Sequence, residues 1–259
     1  MHRLVFGVPI LVVMLNWLWP LPLPVAVKIC GALLVIVAGF YYDWCRLSSG
    51  SMFAPEFPRP LIILFNWAFG TIVLLTIFQI ALDLGALIVA LATWQPVSIP
   101  TNARVFAGGM AALLAAIGVA NALRIPSVRN VSVTIRGLPP AFDGYRLVQL
   151  TDLHISRLFS TRWAQSVVER VNAVGADVIV VTGDFIDGSV AMRRADVAPF
   201  AQLHAPDGVL AIPGNHEYFF DYDAWMKHLS ALGFRLLLNS HIVMTRGTDT
   251  LVFAGVTDR

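Results

Sequence analysis

The sequence predicts two folds in one chain: a helical membrane region followed by a layered α/β domain. Three observations carry this. The 259 residues are 57% hydrophobic with a mean hydropathy of +0.72, too apolar for an ordinary water-soluble protein. Charge is unevenly spread, with six basic and three acidic side chains in residues 1–124 against twelve and thirteen in residues 125–259. The second half also alternates short β-branched runs with amphipathic stretches, the signature of strands and helices taken in turn.

The first half supplies four candidate spans, each close to the roughly 20 apolar residues that cross a bilayer core of about 30 Å. Residues 4–21 carry Trp17 and Trp19, suited to an interface, and no small-residue cleavage site follows to make them a signal peptide. Residues 25–42 carry Lys28 near one end, where it can snorkel. Residues 61–82 are the clearest span, and Asp83 behind them reads as the end of that span; the run stays apolar through Trp94, which predicts either a long, tilted helix or an interfacial turn. Residues 104–123 are rich in Gly and Ala, which allow close helix packing. Cys30 and Cys45 fit no disulfide or metal spacing and read as small membrane residues. With the N-terminus inside, Arg3, Arg46, Arg59, Arg124, Arg129 and Arg136 are cytoplasmic, and only Lys28 and Arg104 lie outside. That asymmetry obeys the positive-inside rule and places the second half in the cytoplasm.

The chain divides into a membrane region 1–124, a linker with a first strand over 125–144, and a domain over 145–259. Pro126 stops the last helix, and "VSVTIRGLP" reads as the first strand. "YRLVQLTD" follows, then the helix "TRWAQSVVERVNAVGAD", apolar at Trp163, Val167, Val168, Val171 and Val174 and closed by Gly175. "DVIVVTGD" is a buried strand, followed by a helix near 191–204 and the strand "GVLAIPG". "YDAWMKHLSALG" is the next helix. "FRLLLN", "HIVMTR" and "TLVFAGV" are strands, the last two joined by a turn at 247–249. With net charges of +3 and −1 for the two halves and only Lys28 and Lys227 as lysines, no basic face for nucleic acid exists.

In such folds ligands bind beyond the carboxyl ends of the strands. Three of those ends read "LTDLH" (150–154), "VTGD" (181–184) and "IPGNHE" (212–217). If β geometry persists past the first, Asp152 and His154 share a face, because side chains alternate along a strand. Glycine before Asp184 and Asn215 lets the backbone turn sharply. Mixed Asp, His and Asn donors suit Mn²⁺, Fe²⁺ or Zn²⁺. A carboxylate shared by two such ions supports in-line attack at phosphorus, with a nearby histidine as proton donor.

"D-L-H", then "G-D", then "G-N-H-E", about thirty residues apart, resemble the calcineurin-like metallophosphoesterase superfamily, and its membrane-anchored bacterial branch most closely. The resemblance implies an αββα sandwich and two divalent metal ions. It implies that Asp152 and His154 hold the first metal, Asp184 bridges both, Asn215 holds the second, and His216 is a catalytic non-ligand. It also asks for further histidines, and the chain ends at Arg259 before any segment that could supply them, so the sandwich and the site read as incomplete. His204, His228 and His241 lie where no ligand is expected. The implied function is hydrolysis of a phosphodiester, phosphomonoester or pyrophosphate, with a lipid-linked substrate favoured by the membrane region. The alternative is a non-catalytic membrane protein whose degenerate domain binds or regulates.

Overall fold

A computed structural model describes residues 2–257. Met1 and the last two residues of the 145–259 assignment lie outside it, as does the Arg3 side chain counted toward topology. The chain forms two compact units, Met1–Arg124 and Ile125–Arg259.

The first unit is helical: α1 (His2–Val12) runs into a π-helical turn (Val13–Leu18), followed by α2 (Val25–Gly39), α3 (Tyr41–Ser49), α4 (Arg59–Thr93) and α5 (Thr101–Ala122). Four spans were expected. Among the described residues α4 and α5 are singly long and apolar enough to cross a membrane, and α2 with α3 makes a third if that pair, bent by 52°, is one span. The apolar helix Gly7–Leu18 is shorter, rising about 18 Å where a bilayer core needs about 30 Å. Helix α4 has 35 residues, about 52 Å of rise. It starts at a proline in its first turn and ends at Trp94, which takes φ 53°. The helix continues ten residues beyond Asp83, the long helix being the alternative of the two that the apolar run through Trp94 allowed. Along α5 the buried residues are Ala107, Ala111 and Ala115, one every fourth position, and Ala115 faces Gly70 of α4. Small residues at this spacing let two helix backbones approach closely, the kind of packing that joins helices where lipid supplies no hydrophobic drive.

In the second unit β1 (Leu147–Leu150), β2 (Val178–Thr182), β3 (Val209–Ile212) and β4 (Arg235–Leu236) form one parallel sheet in sequence order. Helices α6 (Thr161–Asn172), α7 (Val190–Val197) and α9 (Tyr222–Ala231) lie between strands, with a short α8 (Asn215–Phe219) after β3. Alternation along the strands divides the core. Val148, Leu150, Ile179, Val181, Val209 and Ala211 pack with the buried helix residues Val167, Val168, Val197 and Trp225. Val178, Val180, Leu210 and Ile212 turn the other way, onto Met244, Leu251 and Phe253. Those belong to a hairpin, β5 (Ser240–Arg246) and β6 (Asp249–Gly255), paired from Ser240↔Gly255 to Arg246↔Asp249. The order of layers is helices, parallel sheet, antiparallel hairpin. An apolar run such as "VIVV" is what a strand buried on both faces requires.

Two sequence readings change here. "VSVTIRGLP" is not a strand: Val131, Val133 and Ile135 are exposed and belong to no strand pairing among the described residues, so no ladder holds them extended. "FRLLLN" contributes only Arg235 and Leu236 to the sheet, because the ladder with β3 ends at Ala211↔Leu236.

Candidate metal centre

The site is built where β1, β2 and β3 end, and it is not built by strand alternation. Strand β1 stops at Leu150. Past it Asp152, His154 and Asp184 all adopt positive φ, 53°, 44° and 50°. Left-handed backbone in non-glycine residues is strained and collects at functional sites, where surrounding contacts impose it. Those contacts are visible. The Asp152 N–H donates to Gly183 O at 3.3 Å, His154 N–H to Asp184 O at 3.0 Å, and Ile155 N–H to Phe185 O at 3.0 Å. The two loops thus remain laced together after the regular ladder has ended.

A third loop is clamped on by Glu217. Its side chain is wholly buried and accepts from the N–H groups of Asp184 (3.1 Å), Phe185 (2.8 Å) and Gly214 (2.7 Å). Burial pushes its carboxyl above the usual range, and the three amides pull the other way. Two glycines make the approach possible. Gly183 has φ +84°, and a Cβ on it would collide with the Gly214 backbone, while a Cβ on Gly214 would collide with Asp184.

Side chains of His154, Asp184 and His216 then converge, each offering a ligand atom within 4.8 Å of the others. The Asn215 amide, turned with its nitrogen toward Asp184, donates to both carboxylate oxygens at 2.9 and 3.0 Å. Asp152 is not in the group of three; it is exposed and accepts from Thr151 Oγ1. The rings of His154 and His216 sit 4.4 Å apart, edge to face. His204, His228 and His241 are not in the group either: His204 is exposed after α7, His228 lies within α9 and His241 is exposed on β5.

One carboxylate escaped the sequence reading. Asp187 Oδ1 lies 2.5 Å from His216 Nδ1 and 3.3 Å from His154 Nδ1, so a single oxygen orients both rings. It lies within "VTGDFIDG", three residues after Asp184, and that spacing from a strand-end acid was the available signal. The hydrogen bond from Asp187 raises His154 above the ordinary histidine value, helped by the charges of Asp187, Asp184 and Asp152 and opposed by burial. An anionic pocket that stabilises a cation on imidazole is also one that favours a metal cation. The His154 imidazole, the Asp184 carboxylate and the adjacent Asn215 amide are donors that fit a divalent first-row metal, with the His216 imidazole beside them.

Comparison with known proteins agrees with this geometry. Residues 145–255 match the family profile described as calcineurin-like phosphoesterase. The chain is similar to a transmembrane protein with metallophosphoesterase domain from Danio rerio, 33% identical over 151 residues, 57% of this chain and 35% of the relative. A Bos taurus protein of the same description is 31% identical over 153 residues, 56% of this chain and 34% of the relative. An uncharacterized metallophosphoesterase of Bacillus subtilis is 33% identical over 129 residues, 48% of this chain and 45% of the relative. The chain thus spans from a third to under half the length of these relatives. No solved structure matches it. Sequence motifs, strand-end geometry and relatives converge, and residues 145–255 are a calcineurin-like metallophosphoesterase domain.

Proposed function

We propose that the protein is a membrane-bound, metal-dependent phosphoesterase. The observation that carries this reading is the convergence of His154, Asp184 and His216 within 4.8 Å at the carboxyl end of the parallel sheet. In this reading Asp152 and His154 would hold one ion, Asp184 would be shared with a second held by Asn215, and Mn²⁺, Fe²⁺ or Zn²⁺ would suit the donors. Such ions would supply Lewis-acid polarisation of a phosphoryl oxygen and a nucleophile at neutral pH. The chain's own residues do the rest. Asp187 orients the His216 ring through Nδ1, and in this reading the imidazole passes a proton to the leaving oxygen. Glu217 fixes the distance between the Asp184 and Asn215 loops.

The substrate in this proposal is a lipid-linked phosphoester or pyrophosphate. A domain tethered to a bilayer meets membrane phosphoesters at high effective concentration. Beside His216 stands an apolar margin, with Phe219 55% exposed and its ring 5.3 Å from the imidazole. The same reading gives unit 1–124 four passes, the domain an αββα sandwich over 145–259, and the protein a bacterial inner membrane with its domain in the cytoplasm.

The test uses the protein from the complete reading frame that contains these residues, purified in detergent, with Mn content and hydrolysis of bis-p-nitrophenyl phosphate measured. Asp184→Asn is expected to lose both metal and activity, since a shared carboxylate serves both ions. His216→Ala should keep most of the metal while turnover falls on the order of 10²–10⁴-fold. Metal retained in Asp184→Asn and lost in His216→Ala would reverse the two roles. Metal binding without turnover by the unsubstituted chain would favour the non-catalytic alternative.

A further inference from the structure

We propose that the first unit holds a binding site for a phospholipid headgroup that carries both a phosphodiester and an ammonium group. Asp83, inside α4, accepts from Asn16 Nδ2 at 2.8 Å and from Gln79 Nε2 at 2.7 Å. Both donors are neutral amides, and among the described residues no basic side chain pairs with Asp83. One turn back Gln79 is fully buried, and its Oε1 has no donor. Acceptors are therefore in surplus at a place where ionised groups ordinarily pair or mark a ligand path.

The complementary charge is close but committed elsewhere. Arg104, in the first turn of α5, donates through Nε to Asn16 O at 3.2 Å and through a terminal nitrogen to Ile99 O. Trp17 Nε1 donates to Arg104 O at 2.7 Å. Asn16 and Trp17 both come from the π-helical turn, a distortion that recurs at functional sites. A cavity of about 810 Å³ opens beside both charges, lined by Asp83, Arg104, Ser98 and Thr101 and otherwise by apolar residues such as Leu87 and Pro96. One carboxylate and one guanidinium lining the same space balance a zwitterion. An ammonium supplies Asp83 with the cationic donor it lacks, the phosphodiester faces Arg104, and the aliphatic wall suits the acyl chains. An anionic lipid without an amine leaves Asp83 unpaired.

This site lies at the Thr101 end of α5, about 33 Å of helix from Ala122. It is independent of the phosphoesterase chemistry and selects the lipid around the bundle, not the substrate.

The test is a thermal melt of the purified chain in detergent, titrated with short-chain phosphatidylethanolamine or with phosphatidylglycerol of equal acyl length. The expected result is a saturable rise in midpoint with phosphatidylethanolamine, half-saturating on the order of tenfold lower than phosphatidylglycerol. Asp83→Asn should erase that preference, and Arg104→Gln should weaken the response to both lipids. Equal responses of the unsubstituted chain to the two lipids would overturn the proposal, as would an Asp83→Asn chain that keeps the preference. Because the two-lipid comparison needs no variant, it decides the question even if a substitution prevents folding.

Discussion

Glu217 shows how much a single buried side chain can organise. It has no exposure and no basic partner among the described residues, and its charge is met by three backbone N–H groups drawn from two loops. Removing the carboxylate leaves three buried donors without acceptors, each costing about 1–3 kcal/mol. Glu217→Ala should therefore destabilise the domain by roughly 3 kcal/mol or more, read as a lowered urea midpoint of the second unit's unfolding. Glu217→Gln, which keeps one carbonyl oxygen, should cost less. Equal losses in the two variants would assign the effect to lost volume and not to the clamp. Residue types at the site were legible in the sequence, since Asp, His and Asn at strand ends announce metal chemistry. Asp187 was not legible in the same way, because its role exists only once His154 and His216 arrive from two other loops.

Among the elements, β1 and its loop differ most instructively from expectation. Alternation was expected to aim Asp152 and His154 together, yet the strand ends before either and the chain turns through positive φ instead. As a result His154 faces Asp184 and His216 while Asp152 is left exposed. The hairpin is fastened by polar contacts that periodicity does not show. Arg246, the last residue of β5, pairs with Asp177 at 2.8 Å and lies over the rings of Phe142 and Tyr145. The Arg146 N–H also donates to Asp177 at 2.8 Å. That amide first, and then Arg246, holds the Asp177 carboxyl below the usual range. A depressed carboxyl stabilises the fold fully above its unfolded value, near 3.9, and loses that contribution as pH falls through its lower folded value. Asp177→Asn should lower the melting midpoint slightly at neutral pH, with the difference from the unsubstituted chain shrinking from about pH 4 downward. A gap that widens on acidification would contradict this sign.

For the whole molecule, the basic residues give the topology prediction. With the four passes proposed above, six lie at cytoplasmic loops against two outside, so a reporter that matures only in the cytoplasm should be active when fused after Arg136. Activity confined to a reporter that works only outside would invert the orientation. The sequence by itself determined the two-part character of the chain, the layered α/β character of its second half and the residue types at three strand ends. It could do so because hydropathy and alternation are local properties, readable without knowing what packs where. Only the tertiary structure decided that one helix runs unbroken through Asp83, that residues 131–135 find no strand to pair with, and that Asp187 and Glu217 govern the site. Each of these depends on partners distant in sequence. A carboxylate's role is set by the donors that reach it and a strand's existence by the ladder beside it, and neither partner is written in the local pattern.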